Sequence, residues 1–243
     1  SERVLRWQIS SPHKQGYDEI EIPSYTNEQY KIIEDLVTNL FVGFIIKEQS
    51  KLRILIGQVA VMDAGEFDST FRRAFRLLVS SAEETLDAFR NQDGELLQNQ
   101  IPAEKNNNKL TNFCERLLNK SLHRKQNGHF WYVLAWNLEK IADNFKYLAT
   151  YYDGAIPSLE DDVFSLFEGV IGYIRSYYEL FYDFSFEKLV EASSLKKDLE
   201  KTLLSRIDDV RKDEIVLLHY LHMIVLQMAD FSASTIAINY EGQ

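Results

Sequence analysis

His219-x-x-His222 sets two imidazoles three residues apart, which on a helix is one face and a pair of donors for a transition metal. Tyr220 and Leu221 stand between them, and no acid or cysteine lies at a matching spacing, so the pair reads as packing. The Glu-x-x-His signature of di-iron bundles is absent, because no histidine has Glu three residues before it. Cys114 lies beside Phe113 and near Leu117, the setting of an inert core thiol. A catalytic nucleophile needs a base and an orienting group, and nothing in the sequence nominates them. There is also no Gly-rich phosphate loop and no Cys-x-x-Cys. We therefore expect no catalytic residues and no enzyme. The basic run His123-Arg-Lys125 is short and reads as a solvated loop.

Charge narrows the classes further. Over 243 residues, 27 Lys and Arg face 37 Asp and Glu, a net charge of −10. Phosphate backbones are met by clustered cations, so direct nucleic-acid binding by this chain is not expected. A single cysteine allows no internal disulfide and fits a reducing cytoplasm. No run of about 18 apolar residues predicts a membrane span; the greasiest stretch, Ile215 to Ala229, is interrupted by His219, His222 and Gln227. No signal peptide is evident. The chain opens on Ser1 and not Met, which leads us to expect a segment upstream.

The elements that must position any site fall into two styles. Residues 1–62 alternate and turn. Asp18-Glu-Ile-Glu-Ile-Pro23 has strand alternation, Thr26-Asn-Glu-Gln29 has capping-box spacing, and Ile32, Ile33, Leu36 and Leu40 recur as on a helix. Phe41-Val-Gly-Phe-Ile-Ile46 and Leu52-Arg-Ile-Leu-Ile56, joined by the polar Glu48-Gln-Ser50, predict a hairpin. The order is β-α-β-β. After Asp63 the strand signals stop. Phe71, Phe75, Leu78, Ala82, Leu86 and Phe89 predict one helix, Leu110, Phe113 and Leu117 a second, and residues 129–152 a third. After the break at Asp153-Gly-Ala-Ile-Pro157, Ser158 reads as an N-cap three residues before Asp161. An aromatic-rich helix follows (Phe164, Phe167, Tyr173, Tyr177, Tyr178, Phe181, Tyr182), whose spacing points to core packing. Helices over about 186–209 and 213–240 complete a second triplet. Leu134-Ala135 and Ala142-Asp143 fall opposite Leu221-His222 and Ala229-Asp230 without gaps, the mark of a repeat. The fold class is mainly α: two tandem three-helix bundle repeats (63–152 and 158–243) behind a small α/β module (1–62).

Within the first repeat, Trp131-Tyr-Val-Leu-Ala-Trp-Asn-Leu-Glu-Lys-Ile-Ala-Asp-Asn-Phe145 resembles the signature helix of the PhoU family of phosphate-uptake regulators. Leu86-Asp-Ala-Phe-Arg-Asn-Gln-Asp-Gly-Glu-Leu96 resembles that family's first hairpin. The β-α-β-β segment, especially Gly16-Tyr-Asp-Glu-Ile-Glu-Ile22, is similar to the one that archaeal-type members place between an AbrB-like DNA-binding domain and the repeats.

The resemblance implies a cytoplasmic, homodimeric regulator of phosphate uptake that contacts a phosphate transporter ATPase or a signalling kinase, without entering the membrane. It equally implies the sensor half of an AbrB–PhoU transcriptional regulator. It also implies acidic E/D-x-x-x-D motifs that hold iron, zinc or another divalent metal. Glu139 and Asp143 match both acids of one motif, Asp230 matches the second acid of another whose first is Leu226, and Glu104 stands with Asn108 on the facing helix. Residues at i and i+4 share a helix face, so a second such pair opposite would make an oxygen-rich cage. A carboxylate metalloprotein is the alternative function; a solvated or intersubunit acidic pair is the plainer reading of Glu139 and Asp143.

Overall fold

The computed structural model describes residues 1–60, 63, 65–121, 127–153, 155–207 and 210–239; the basic run His123-Arg-Lys125 and the end of the last helix at Tyr240 lie outside them. Helix α1 (Glu2–Gln15) opens the chain, followed by β1 (Glu19–Ile22), α2 (Asn27–Asn39), β2 (Phe44–Gln49) and β3 (Ile54–Gln58). Helices α3 (Glu66–Asn91), α4 (Gly94–Gln98), α5 (Gln100–Ser121) and α6 (Gly128–Tyr152) come next. The second triplet is α7 (Asp161–Tyr182), α8 (Phe186–Ile207) and α9 (Ile215–Ala229), extended by α10 (Phe231–Asn239). The expected order holds: a small antiparallel sheet, then two helical triplets. The described chain gathers into two compact units, Ser1–Ala74 with Asn108–Ala135, and Phe75–Asn107 with Trp136–Gln243.

In the first unit the strands lie in the order β1-β3-β2, all antiparallel. The capping box forms: Thr26 Oγ1 accepts from the Gln29 N–H at 3.2 Å, and Gln29 Oε1 accepts from the Thr26 N–H at 2.8 Å. Ile33, Leu36 and Val37 of α2 pack with Ile20, Phe44, Ile54 and Ile56 of the sheet. Helix α1 is an addition to the expected β-α-β-β order. Its inward positions are Leu5, Ile9 and His13, a helical spacing whose third member is not apolar, and Pro12 interrupts the pattern. His13 nonetheless packs as an aromatic, stacked on Phe41 with centroids 4.2 Å apart and edge-on to Phe44. Gly16 ends α1 at φ 96, where a Cβ would also meet the Lys120 side chain at 2.8 Å.

Arg116 of α5 fastens that helix to the module. It is fully buried. Nη1 donates to the carbonyls of His13 and Tyr17, both at 2.8 Å, and Nη2 to Asp18 at 2.7 Å and Gln58 at 2.9 Å. Its guanidinium lies 4.7 Å from the Phe44 ring centre. The cation therefore sits at the C-terminal end of α1, where the helix dipole favours it. Next to it on α5, the buried Glu115 pairs with Lys14 at 2.8 Å, and one turn on, Asn119 Nδ2 donates to the Lys14 carbonyl at 2.6 Å.

In the second unit, α5 starts earlier than its sequence suggests, because Pro102 falls in the first turn where no N–H is required. Most of the α7 aromatics are core, as their spacing predicts: Phe167, Tyr173, Tyr177 and Phe181 are buried, with the Tyr177 hydroxyl 3.2 Å from Ser232 Oγ, while Phe164, Tyr178 and Tyr182 are half-buried. The predicted cap at Ser158 is wrong. Helix α7 is capped at Glu160, whose N–H donates to Oε1 of the buried Glu214 at 3.3 Å. Glu214 is held by Arg211 at 3.1 Å and Arg206 at 3.4 Å, and Arg206 also binds Glu160 and Asp162. Glu160 makes no side-chain cap bond, and the distant Glu214 carboxylate accepts only from the N–H of the cap residue itself. The single last helix is instead two, broken at Asp230. By length and composition Ile215–Asn239 could cross a membrane, but Leu217, Leu218, Leu221, Ile224, Val225 and Met228 of α9 are buried in the protein.

Replacing Arg116 with Met removes the bonds to two carbonyls and two side chains, and should lower unfolding free energy in urea by about 3 kcal/mol. Arg116→Lys should recover little, since an ammonium cannot reach four acceptors in one plane. Burial, with the charges of Arg116 and Lys14, lowers the His13 pKa from 6.5 to about 3. The folded state then binds fewer protons than the unfolded one between these values. Stability should be full above the unfolded pKa and fall by about 1 kcal/mol per pH unit below it. His13→Phe should flatten that slope in urea melts taken across the acid range.

Candidate functional site: a lysine between two buried carboxylates

The acids singled out in the sequence meet around a cation from their own chain. Helix α5 presents Glu104 and helix α6 presents Asp143, at 5% and 8% exposure. Lys146, one turn after Asp143, lies between them: its Nζ is 2.6 Å from Glu104 Oε1 and 2.5 Å from Asp143 Oδ1. Lys140, one turn before Asp143, takes its other oxygen at 3.2 Å and reaches Glu139 at 3.5 Å. Lys140 also lies over the Trp136 ring at 4.9 Å, and Lys146 over Tyr147 at 4.8 Å. The apolar positions of α6, Leu138, Ile141, Ala142 and Phe145, are buried and hold this face in register.

The electrostatics separate the two acids. Burial raises the pKa of Glu104, and its hydrogen bond with Asp143 raises it further. Asp143 is lowered: burial opposes its ionisation, but the bond from Glu104 and the ammoniums of Lys146 and Lys140 outweigh it. Lys146 and Lys140 are raised, burial being outweighed by their carboxylate partners. Asp143 is thus the acid that ionises first and Glu104 the member that keeps a proton longer as pH rises. Lys146 is a full ammonium with no free amine, so it has neither the base nor the nucleophile character of a catalytic lysine. The arrangement can clamp α5 to α6 by charge-assisted bonds.

Of the four acids, Glu104 and Asp143 come together, and Glu139 stands at the edge through Lys140. Asp230 is exposed at the C-terminal end of α9; the pKa of Tyr173 is raised by its burial, then by Tyr177, and least by the charge of Asp230. Among the described residues no group of three or more His, Cys, Asp or Glu side chains is gathered to hold a metal ion. A divalent cation shared by Glu104 and Asp143 would need the place of the Lys146 ammonium, so the residues present do not fit a bound metal. Lys146 is the residue that reading acids alone misses; its position three after Asp143 was the available signal.

Elsewhere, His219 is exposed, His222 lies 4.0 Å from Glu200 of α8, and Cys114 is buried. A cleft of about 220 Å³ between α3 and α7 is lined by Arg76, Ser80, Glu83, Arg175, Tyr178 and Glu179. Its cations are engaged: Arg175 Nε donates to Glu83 at 2.7 Å, and Arg76 Nε to the Tyr178 hydroxyl at 3.0 Å.

No protein-family model matches the sequence, and no curated protein matches it either. The fold is similar to the crystal structure of the phosphate transport system regulatory protein PhoU from Streptococcus pneumoniae, with a TM-score of 0.52 and 13% sequence identity. The match covers 72% of this chain and 94% of that one. The chain therefore has a PhoU-like fold, as the sequence resemblance led us to expect.

Asp143→Asn should cost about 2 kcal/mol in denaturant unfolding near neutral pH, and Glu104→Gln less, because Asp143 is the acid whose ionised form the fold favours while burial and Asp143 disfavour that of Glu104. Equal losses would show that the fold does not favour the ionised form of Asp143 over that of Glu104. The Asp143 contribution should be present above its unfolded pKa and vanish as pH falls through its lowered folded value.

Proposed function

We propose that this chain is a PhoU-like, non-catalytic regulator of phosphate uptake or phosphate-responsive signalling that works by protein contacts in the cytoplasm. The observation that carries this is the fold similarity to the Streptococcus pneumoniae phosphate transport regulator over 72% of this chain and 94% of that one. Helix α6 also presents Trp136, Tyr147 and Tyr151 exposed at 43%, 43% and 57%, on the face that bears the lysine–carboxylate cluster. Exposed aromatics at helical spacing suit a protein partner better than solvent. The partner is a transporter ATPase, a signalling kinase or a second copy of the chain. The α/β module is read as the archaeal-type connector, which makes the chain the sensor half of an AbrB–PhoU regulator. The alternative, a carboxylate metalloprotein, draws on the meeting of Glu104 and Asp143, and the ammonium between them weighs against it.

Deleting the gene in its source organism should make phosphate uptake, or phosphate-responsive transcription, insensitive to external phosphate. The wild-type gene should restore the response, and a Trp136→Ala/Tyr151→Ala gene, encoding a stably folded protein, should not. Unchanged uptake and transcription after deletion would overturn the reading.

A further inference from the structure

We infer that Lys146 is a tethered counter-ion that keeps the Glu104–Asp143 pair closed to divalent metals, so that the pair is a latent cation site which only removal of this lysine would open. Two carboxylates from different helices, both nearly removed from solvent, cannot face one another without a cation or a proton between them. Here the cation is covalent. The Lys146 Nζ sits at 2.6 Å and 2.5 Å from one oxygen of each acid, which is the place a shared metal would have to take. Hard cations bind carboxylate oxygens at about 2.0–2.6 Å and need several of them. With the ammonium in place, an incoming dication meets a positive charge and oxygens already occupied. Lys140 adds a second ammonium on Asp143 Oδ2, so both oxygens of that carboxylate carry a lysine.

Truncating Lys146 changes each of these conditions. Glu104 Oε1 and Asp143 Oδ1 lose their common donor, space for a hydrated ion opens between α5 and α6, and the buried charge must be met from solution. A metal would then stabilise the fold it binds. None of this depends on whether the chain regulates phosphate uptake, so failure of that reading and failure of this inference are separable.

The test is Mn²⁺ titration of the EDTA-treated full chain, read by calorimetry, by the Mn²⁺ electron paramagnetic resonance signal and by Tm. Wild type should show no saturable binding and no shift in Tm with EDTA or Mn²⁺. Lys146→Ala should bind one equivalent of Mn²⁺ roughly tenfold or more tighter than any wild-type background, with a raised Tm. Adding Glu104→Gln should abolish that gain. Lys146→Gln keeps much of the side-chain bulk without the charge, and should gain binding in the same sense if the alanine variant does not fold. Wild-type binding that is lost in Glu104→Gln or Asp143→Asn would overturn the inference. So would a folded Lys146→Ala or Lys146→Gln protein whose Tm ignores millimolar Mn²⁺. If neither variant folds, a wild-type Tm unmoved by EDTA and Mn²⁺ supports it, and one that moves overturns it.

Discussion

Helix α5 buries charge near both of its ends, and a charge taken out of water must be answered where it lies. Near its C-terminal end, Arg116 is answered by the carbonyls that finish α1, by Asp18 and by Gln58. Near its N-terminal end, Glu104 is answered by Lys146 of α6. An apolar contact of similar area would tolerate some sliding, since any neighbouring methyl group does as well as another. A guanidinium with four acceptors does not slide. It dictates that a segment about a hundred residues earlier in the chain ends its helix at that point, and Gly16 supplies the left-handed turn that lets it do so.

The sequence was legible where structure is local. Thr26 and Gln29 announce their helix because both halves of a capping box lie within one turn. The α6 and α7 faces were legible because their inward residues are apolar or aromatic at helical spacing. What escaped was whatever a polar residue does from a distance. Helix α1 was hidden because His13 fills an apolar position, which it can do only when Phe41 and Phe44 are brought against it. The start of α7 was misplaced because its cap position, Glu160, makes no side-chain cap bond and its N–H is taken by Glu214, fifty-four residues away. Arg116 looks like an ordinary surface cation in a linear reading, with nothing at its own spacing to mark it as buried, and Lys146 is marked only by standing three residues after Asp143.

The two triplets align without gaps yet settle their polar positions differently. Leu134 and Leu221 occupy matching places and both are fully buried. Nine residues further on, Asp143 is buried beneath two lysines while its counterpart Asp230 is exposed where α9 breaks into α10. The first acid of the motif is Glu139 in one repeat and Leu226 in the other. Matching sequence positions therefore carried the helix and its inward face from one repeat to the next, but not the surroundings of a side chain. Those depend on the facing helix, and there the triplets diverge: α5 buries Gln100, Glu104, Asn107, Thr111, Asn112, Glu115 and Arg116, whereas the buried residues of α8 are Ala192, Leu199 and Leu203.

That divergence bears on how a signal could be carried. A metal shared between two helices is exchangeable: its occupancy follows the free concentration, and the joint it makes tightens or loosens accordingly. An ammonium fixed four methylenes from its own backbone has no such dependence, and its strength responds only to protons and to displacement by a competing charge. The α5–α6 joint built on Lys146 is therefore constant across metal conditions. Any input that alters α6 must then reach it through its surface, and the groups exposed beside the cluster, Trp136, Tyr147 and Tyr151, are aromatic. Trp136 and Tyr147 are already packed against the lysines that hold the acids. A partner that took either ring would compete directly for the lysine beneath it, which couples a surface contact to a buried ion pair without any ligand passing between them.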